Sequence, residues 1–211
     1  ASVDGLSGAG TATKPEVKAK EQTEVKVEDK RESKVDIDKE AHVWAKYYNA
    51  EHAAKGLTKE ESDSVLAKKK QQFKDLQDIE VQDYAKEAIR QAVDTKAFDS
   101  ELKDLGITPE EVVVMLENVS KIESSGGANN TISSGGAAGI LQVIDGTFRD
   151  VVERGRVGPK ALKALGKTKE ELLALSNTER KEYLKNDNKA GAIFGLAAMI
   201  DKLYVSKRLD K

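Results

Sequence analysis

The chain has no cysteine among its 211 residues, which excludes a disulfide framework, thiolate metal sites and thiol nucleophiles. Aromatic residues are scarce: four Phe, five Tyr and one Trp. Any core must therefore be built mainly from Ala, Val, Leu and Ile. No apolar run approaches the roughly 18–20 residues of a membrane-spanning helix, and no signal peptide is visible at the start. The first residue is Ala1 rather than Met, so an N-terminal piece is expected to have been removed. Neither sign of charge dominates, with 35 Lys+Arg against 37 Asp+Glu. That balance argues against a basic nucleic-acid binder and against electrostatic adsorption on anionic lipid. What remains is a chain that is 34% charged and 38% hydrophobic, with mean hydropathy −0.56, near the border between globular and disordered compositions.

The composition is uneven. Residues 1–13 are small and polar and read as flexible linker. Residues 14–40 hold eight positive and nine negative charges, with valines as almost the sole hydrophobes. Such a stretch buries too little apolar area to offset chain ordering, so 1–39 is expected to be an extended or disordered tether. Residues 40–105 predict a helical arm. Its first helix spans Glu40–Lys55, with Trp44 and Tyr48 on one face as a packing anchor. His42 and His52, nearly three turns apart, are too distant to share a metal and read as surface residues. Thr58-x-x-Glu61 is a capping box opening a second helix through about Leu76. Lys68-Lys69-Lys70 on it reads as a solvated face. A third helix is expected over about 80–98, burying Ala85, Ile89, Ala92 and Val93.

From Gly106 the texture changes, and 12 of the 16 glycines lie from there onward. Thr108-Pro109-Glu110-Glu111 is a strong helix start, with Thr as N-cap and Pro at the first helical position. The helix is expected to bury Val112, Met115, Leu116, Val119 and Ile122, and to stop at Gly126-Gly127. Shorter helices follow over about 146–154, 159–165, 168–175 and 176–185, the last two opened by capping boxes Thr168/Glu171 and Ser176/Glu179. The final helix, about 188–206, is rich in small and apolar residues and reads as the buried centre of this half. Its Gly191 and Gly195 allow close helix contact.

The chemistry concentrates in residues 122–147. Glu123 stands at the carbonyl end of a buried helix, where the helix dipole disfavours an ionised carboxylate. Apolar neighbours such as Val119 and Ile122 act in the same direction through desolvation. A carboxyl kept protonated near neutrality is what a general acid needs to cleave a glycosidic bond. The glycines that follow let backbone groups approach an extended sugar chain closely. On the residues alone, an exposed helix end followed by an ordinary loop explains the same pattern.

The order Glu123-Ser124, then Ser134, Gly136, Ala137, Gly139, Gln142 and Thr147, resembles the signature of soluble lytic transglycosylases, relatives of goose-type lysozyme. A weaker match runs from Asn188 through Gly191 to Ile200, so the resemblance covers about 108–206. The family has Pro where this chain has Asp145, and a later Ala-Tyr-Asn-Ala-Gly segment that lines the sugar cleft is not found before Lys211. Tyr204 or Tyr183 is the expected substitute.

The resemblance implies an α+β, mostly helical, lysozyme-like catalytic domain over 106–211 with a small hairpin region. It also implies a reaction. Protonated Glu123 would donate to the oxygen between N-acetylmuramic acid and N-acetylglucosamine in peptidoglycan. The carboxylate would then accept the proton of the muramoyl C6 hydroxyl, which closes on C1 to give a 1,6-anhydro sugar. The internal nucleophile replaces the second carboxylate of ordinary glycosidases. Ser124, Ser133, Ser134, Gly139, Gln142 and Tyr204 are the expected substrate-binding residues, and no metal or cofactor is implied. Asp145 has two readings, helix N-cap or the second carboxylate of a hydrolytic lysozyme, the first preferred. The expected partners are glycan strands and, through residues 1–60, proteins of a larger assembly. A phage virion or tail that opens the wall during genome entry is the first choice, and a periplasmic secretion machine the second. The rival from another class is a lysozyme-like structural adaptor without activity.

Overall fold

Nine α-helices and one 3-10 turn account for most of the described residues of the computed structural model, which run from 57 to 209, with side chains through Val205. The tether expected over 1–39 and the helix expected over Glu40–Lys55, with Trp44, Tyr48, His42 and His52, lie outside them. The helices are α1 Lys59–Asp75, α2 Asp83–Asp94, α3 Asp99–Asp104, α4 Pro109–Ser124 and α5 Asp145–Arg154, followed by α6 Gly158–Leu165, α7 Lys169–Ala174, α8 Asn177–Asn186 and α9 Asn188–Leu209.

Local chemistry explains where four of them begin. Thr58, Thr168 and Ser176 each cap a helix and complete a reciprocal box with a glutamate three residues on. Thr108 accepts from the Glu111 amide at 3.2 Å, with Pro109 at the first helical position. The helix expected over about 80–98 is shorter, α2 over Asp83–Asp94, and a separate helix, α3, starts beyond it at Asp99. Thr95 Oγ1 donates to the Ala92 carbonyl at 2.7 Å, Lys96 turns left-handed at φ +57°, and Phe98 is buried beyond the break.

The architecture is organised around α9, about 33 Å long at 1.5 Å per residue. Its middle, Ala190–Ile200, is apolar on every side, as a helix segment surrounded by others must be. Ala192, Ile193, Phe194 and Ile200 have no solvent exposure. Phe194 stacks on Phe148 of α5, with ring centroids 4.2 Å apart. The expected closeness at its glycines is present: a Cβ on Gly191 would stand 2.9 Å from the Leu184 carbonyl oxygen, and one on Gly195 would collide with Leu141. The helices α2, α4, α5, α6 and α8 pack against it.

Two expectations need correction. Packing does not separate at residue 105: Phe73 and Leu76, and Ala85, Ile89 and Phe98 beyond them, belong to the same hydrophobic core as Leu116, Phe148 and Ile193. The part of the expected arm that is described is thus an integral layer, because its apolar stripe is buried by α4 and α9. The fold is mostly helical, and the small hairpin reduces, among the described residues, to two isolated antiparallel bridges, Ile132 with Ala138 and Ala138 with Val143. Glycines and left-handed residues in 125–142 turn the chain too often for a longer ladder.

Candidate active site

Helix α4 ends one residue after Glu123. Ser125 is left-handed at φ +52°, and Gly126 and Gly127 follow with positive φ. Glycine is needed at 126 because the loop presses on the start of α2: a Cβ there would strike the Glu80 carbonyl, while Gln82 donates its amide to the Gly126 carbonyl at 2.8 Å. Tyr84 donates its hydroxyl to the Gly127 carbonyl from the same side. The end of the helix is thereby fixed, and with it the backbone position of Glu123, an exposed residue.

Glu123 opens into a cleft of about 320 Å³ lined by Lys69 and Phe73 of α1, Leu116, Val119 and Ile122 of α4, residues 141–144 and Thr147, and Gly195, Ala198, Met199 and Lys202 of α9. Ile122, expected in the core, is instead 38% exposed and forms the lip with Ile144, which is 50% exposed. Burial against these apolar walls pushes the Glu123 carboxyl above its ordinary range, and the Lys69 ammonium opposes the shift. The carbonyl end of α4 favours the neutral form as well. Lys69 feels the same wall: burial lowers its proton affinity, and Glu123 raises it.

Of the residues expected to bind substrate, Gln142 lines the cleft with Glu123, and so does Thr147 of the signature. Gln142 has the left-handed φ of +49°, uncommon for a residue with a side chain. Its Nε2 donates to the carbonyls of Thr131 and Gly139, both at 2.9 Å, which holds the loop closed. Ser124, Ser133, Ser134, Gly139 and Tyr204 are not among the lining residues. Ser124 is 1% exposed; its hydroxyl lies 2.7 Å from the Ile140 carbonyl and accepts the Gly127 amide at 3.1 Å, so it clips α4 to the loop. Ser133 accepts the Ala137 amide at 3.0 Å and shapes the turn in which Ser134 is exposed. Gly139 packs against the Leu184 carbonyl. Tyr204 lies on the other side of α9, donating to Asp104 at 2.8 Å beneath the Arg156 guanidinium, 3.9 Å from its ring. Burial and the Asp104 carboxylate push its phenol up to about 12. Tyr183 lines a separate open hollow on α7 and α8.

Asp145 is not the helix N-cap expected of it. The N-cap of α5 is Ile144, without a side-chain cap, and Asp145 is the first helical residue. Its carboxylate is gripped by Arg180, whose Nε donates to Oδ1 at 2.6 Å and Nη2 to Oδ2 at 3.0 Å, with Arg149 Nε 3.3 Å away. The Arg180 hydrogen bonds hold its proton affinity below the usual carboxylate range.

Lys69, read above as part of a solvated face, and Phe73, Met199 and Lys202 were not read from the sequence as site residues. One signal was available for the first two: Phe73 follows Lys69 by four residues, so an apolar side chain shares the face of the middle lysine. Among the described residues no cluster of His, Asp and Glu could hold a metal ion, and no helix is long and apolar enough to cross a membrane. No family model, curated protein or solved structure matches the chain.

Proposed function

We propose that the protein cleaves peptidoglycan glycan strands as a lytic transglycosylase, with Glu123 serving first as general acid and then as general base. The observation that carries this reading is Glu123, the one carboxyl among the described residues of the cleft lining, beside apolar walls and biased toward its protonated form by burial and by the helix end. A protonated Glu123 donates to the glycosidic oxygen as the bond to C1 breaks. The carboxylate left behind accepts the C6 hydroxyl proton as that oxygen closes on C1. Atoms balance without water, and the product ends in a 1,6-anhydro ring. The Gln142 loop and Thr147 supply polar contacts beside the carboxyl, while the Ile122 and Ile144 lip gives apolar surface to N-acetyl groups.

Occupation of Asp145 by Arg180 favours this outcome over lysozyme-type hydrolysis, which needs a second carboxylate free to act on water or on the sugar. The setting we propose, a virion or tail assembly acting on the cell wall or, second, a periplasmic secretion machine, is supported by the charged sequence of 14–40 and by the family resemblance. Digestion of purified peptidoglycan followed by mass spectrometry is the test. Anhydro-muropeptides support the reading, products heavier by one water indicate a hydrolase, and no release from folded protein indicates an inactive adaptor.

A further inference from the structure

The turn that follows Glu123 is held from two sides. Gly127, left-handed at φ +91°, donates its amide to the carbonyl and to Oγ of Ser124, both at 3.1 Å, which ties it back to the end of α4. Its own carbonyl faces the other way and accepts the hydroxyl of Tyr84 from α2. The fit is close: a Cβ on Gly127 would stand 2.9 Å from Tyr84 Oη and 2.9 Å from Ala85 Cβ. Asn130, which also lies beside the Tyr84 phenol, donates Nδ2 to the Lys185 carbonyl at 3.2 Å and to Asn188 Oδ1 at 3.0 Å. One loop thus joins α2 to α4 and to the junction of α8 and α9. Tyr84 reaches it from the 57–105 layer, outside the stretch that carries the family resemblance, and is not among the residues lining the cleft.

We propose that Tyr84 is a positioning residue for Glu123: by holding the Gly127 carbonyl, its hydroxyl keeps the last turn of α4 seated so that the carboxyl stays against the apolar walls of the cleft. Its part in turnover rests on the glycan-cleaving reading; its hold on the carboxyl does not. Gly127 is buried, so without that hydroxyl its carbonyl loses a donor in the interior, and the loop recovers one by turning the group toward water. Ser124 moves with Gly127 through their two hydrogen bonds, and Glu123 is the next residue back along α4. The Gln82 amide still donates to the Gly126 carbonyl at 2.8 Å, so the turn loosens rather than detaches. Tyr84 remains a donor across the working range, because burial raises its phenol above the ordinary value and the Asn130 amide only opposes that. The burial that raises the proton affinity of Glu123 is what a loosened turn would surrender.

The test is NMR titration of side-chain-labelled glutamate in the full chain, beside turnover of soluble peptidoglycan strands. Tyr84→Phe is expected to lower the Glu123 titration by about half a pH unit or more as the carboxyl gains water. It is expected to lower kcat about tenfold or more with KM within about twofold, since the substrate does not touch Tyr84. Gly127→Ala opens the same contact from the loop side and should shift the titration in the same direction. Thr95→Val is the control: it removes the hydroxyl that donates to the Ala92 carbonyl at the far end of α2, and should leave the Glu123 titration in place. The cations that line the cleft with Glu123, Lys69 of α1 and Lys202 of α9, are unchanged in all three variants. An unmoved Glu123 titration in folded Tyr84→Phe overturns the inference, as does an equal shift in Thr95→Val or, where the unmodified protein cleaves, an unchanged kcat. If the unmodified protein releases nothing from peptidoglycan, the cleavage reading falls, and the titration still decides whether Tyr84 holds the carboxyl.

Discussion

Arg180 of α8 holds Asp145 at the first residue of α5 by two hydrogen bonds, at 2.6 and 3.0 Å, between side chains that are only 10% and 11% exposed. The same guanidinium donates to the Leu175 carbonyl, so one side chain joins α5, the end of α7 and α8. The pair fixes the start of the helix that carries Thr147 into the cleft.

Removing Arg180 leaves the nearly buried Asp145 carboxylate with the more exposed Arg149 in place of a two-point partner. Arg180→Met is expected to cost about 2–3 kcal/mol in urea denaturation at pH 7, somewhat below the cost for a fully interior pair. The contribution has a defined pH window. The folded proton affinity of Asp145 is depressed, so its stabilisation is complete above the unfolded value of about 3.9 and disappears as pH falls through the folded one. Denaturation curves of the unmodified protein and Arg180→Met should therefore converge in strong acid.

Glu123 has the opposite sign. Its folded proton affinity is raised. Relative to a neutral isostere it therefore costs nothing at low pH, where it is protonated folded and unfolded alike, and it lowers stability as pH rises from the unfolded value toward the folded one. Glu123→Gln should melt higher than the unmodified protein at pH 7, and the gap should close by about pH 4. Thermal melts at the two pH values check this. On the proposed reading, stability given up at Glu123 is the compromise expected where a protonated carboxyl is needed for chemistry.

Lys69 opposes that shift. Lys69→Met should move the Glu123 titration to higher pH, read by NMR of side-chain-labelled glutamate, and extend activity further into the alkaline range. Lys69→Arg should leave the titration near its original position.

Ser124 and Gly139 act by holding the loop. Ser124→Ala removes contacts with the Ile140 carbonyl and the Gly127 amide in the interior and is expected to destabilise by about 1–3 kcal/mol without any substrate present. Gly139→Ala puts a Cβ 2.8 Å from the Leu184 carbonyl oxygen at φ +83°. A cost of about 2 kcal/mol or more is expected from strain and clash together. Chemical denaturation of the two variants is the check.

What could be read from the sequence was what depends on three or four neighbouring residues. The caps at Thr58, Thr108, Thr168 and Ser176 fall at the expected positions because the hydrogen bonds that make them span three residues. The small, apolar composition of α9 marked it as central, since few helices of that kind survive in water. The candidate site lies within one stretch of sequence in part: Glu123, Gln142 and Thr147 of the signature line one cleft. Tyr204 did not join them because α9 turns it toward Asp104 and away from Met199 and Lys202 on the cleft face. Lys69 and Arg180 were missed for the converse reason. A surface-looking cation on an amphipathic helix gains its role from a carboxylate 54 or 35 residues away in sequence, and no local pattern encodes that meeting.

The central claim is that one carboxyl, Glu123, performs both proton transfers and leaves an anhydro sugar. Its most direct test is mass spectrometry of the products released from purified peptidoglycan by the unmodified protein and by Glu123→Gln, at equal concentration of folded protein. The account predicts 1,6-anhydro-muropeptides from the first and a rate at least a hundredfold lower from the second, the usual scale of general acid–base catalysis. Anhydro products released at an undiminished rate by Glu123→Gln would contradict it.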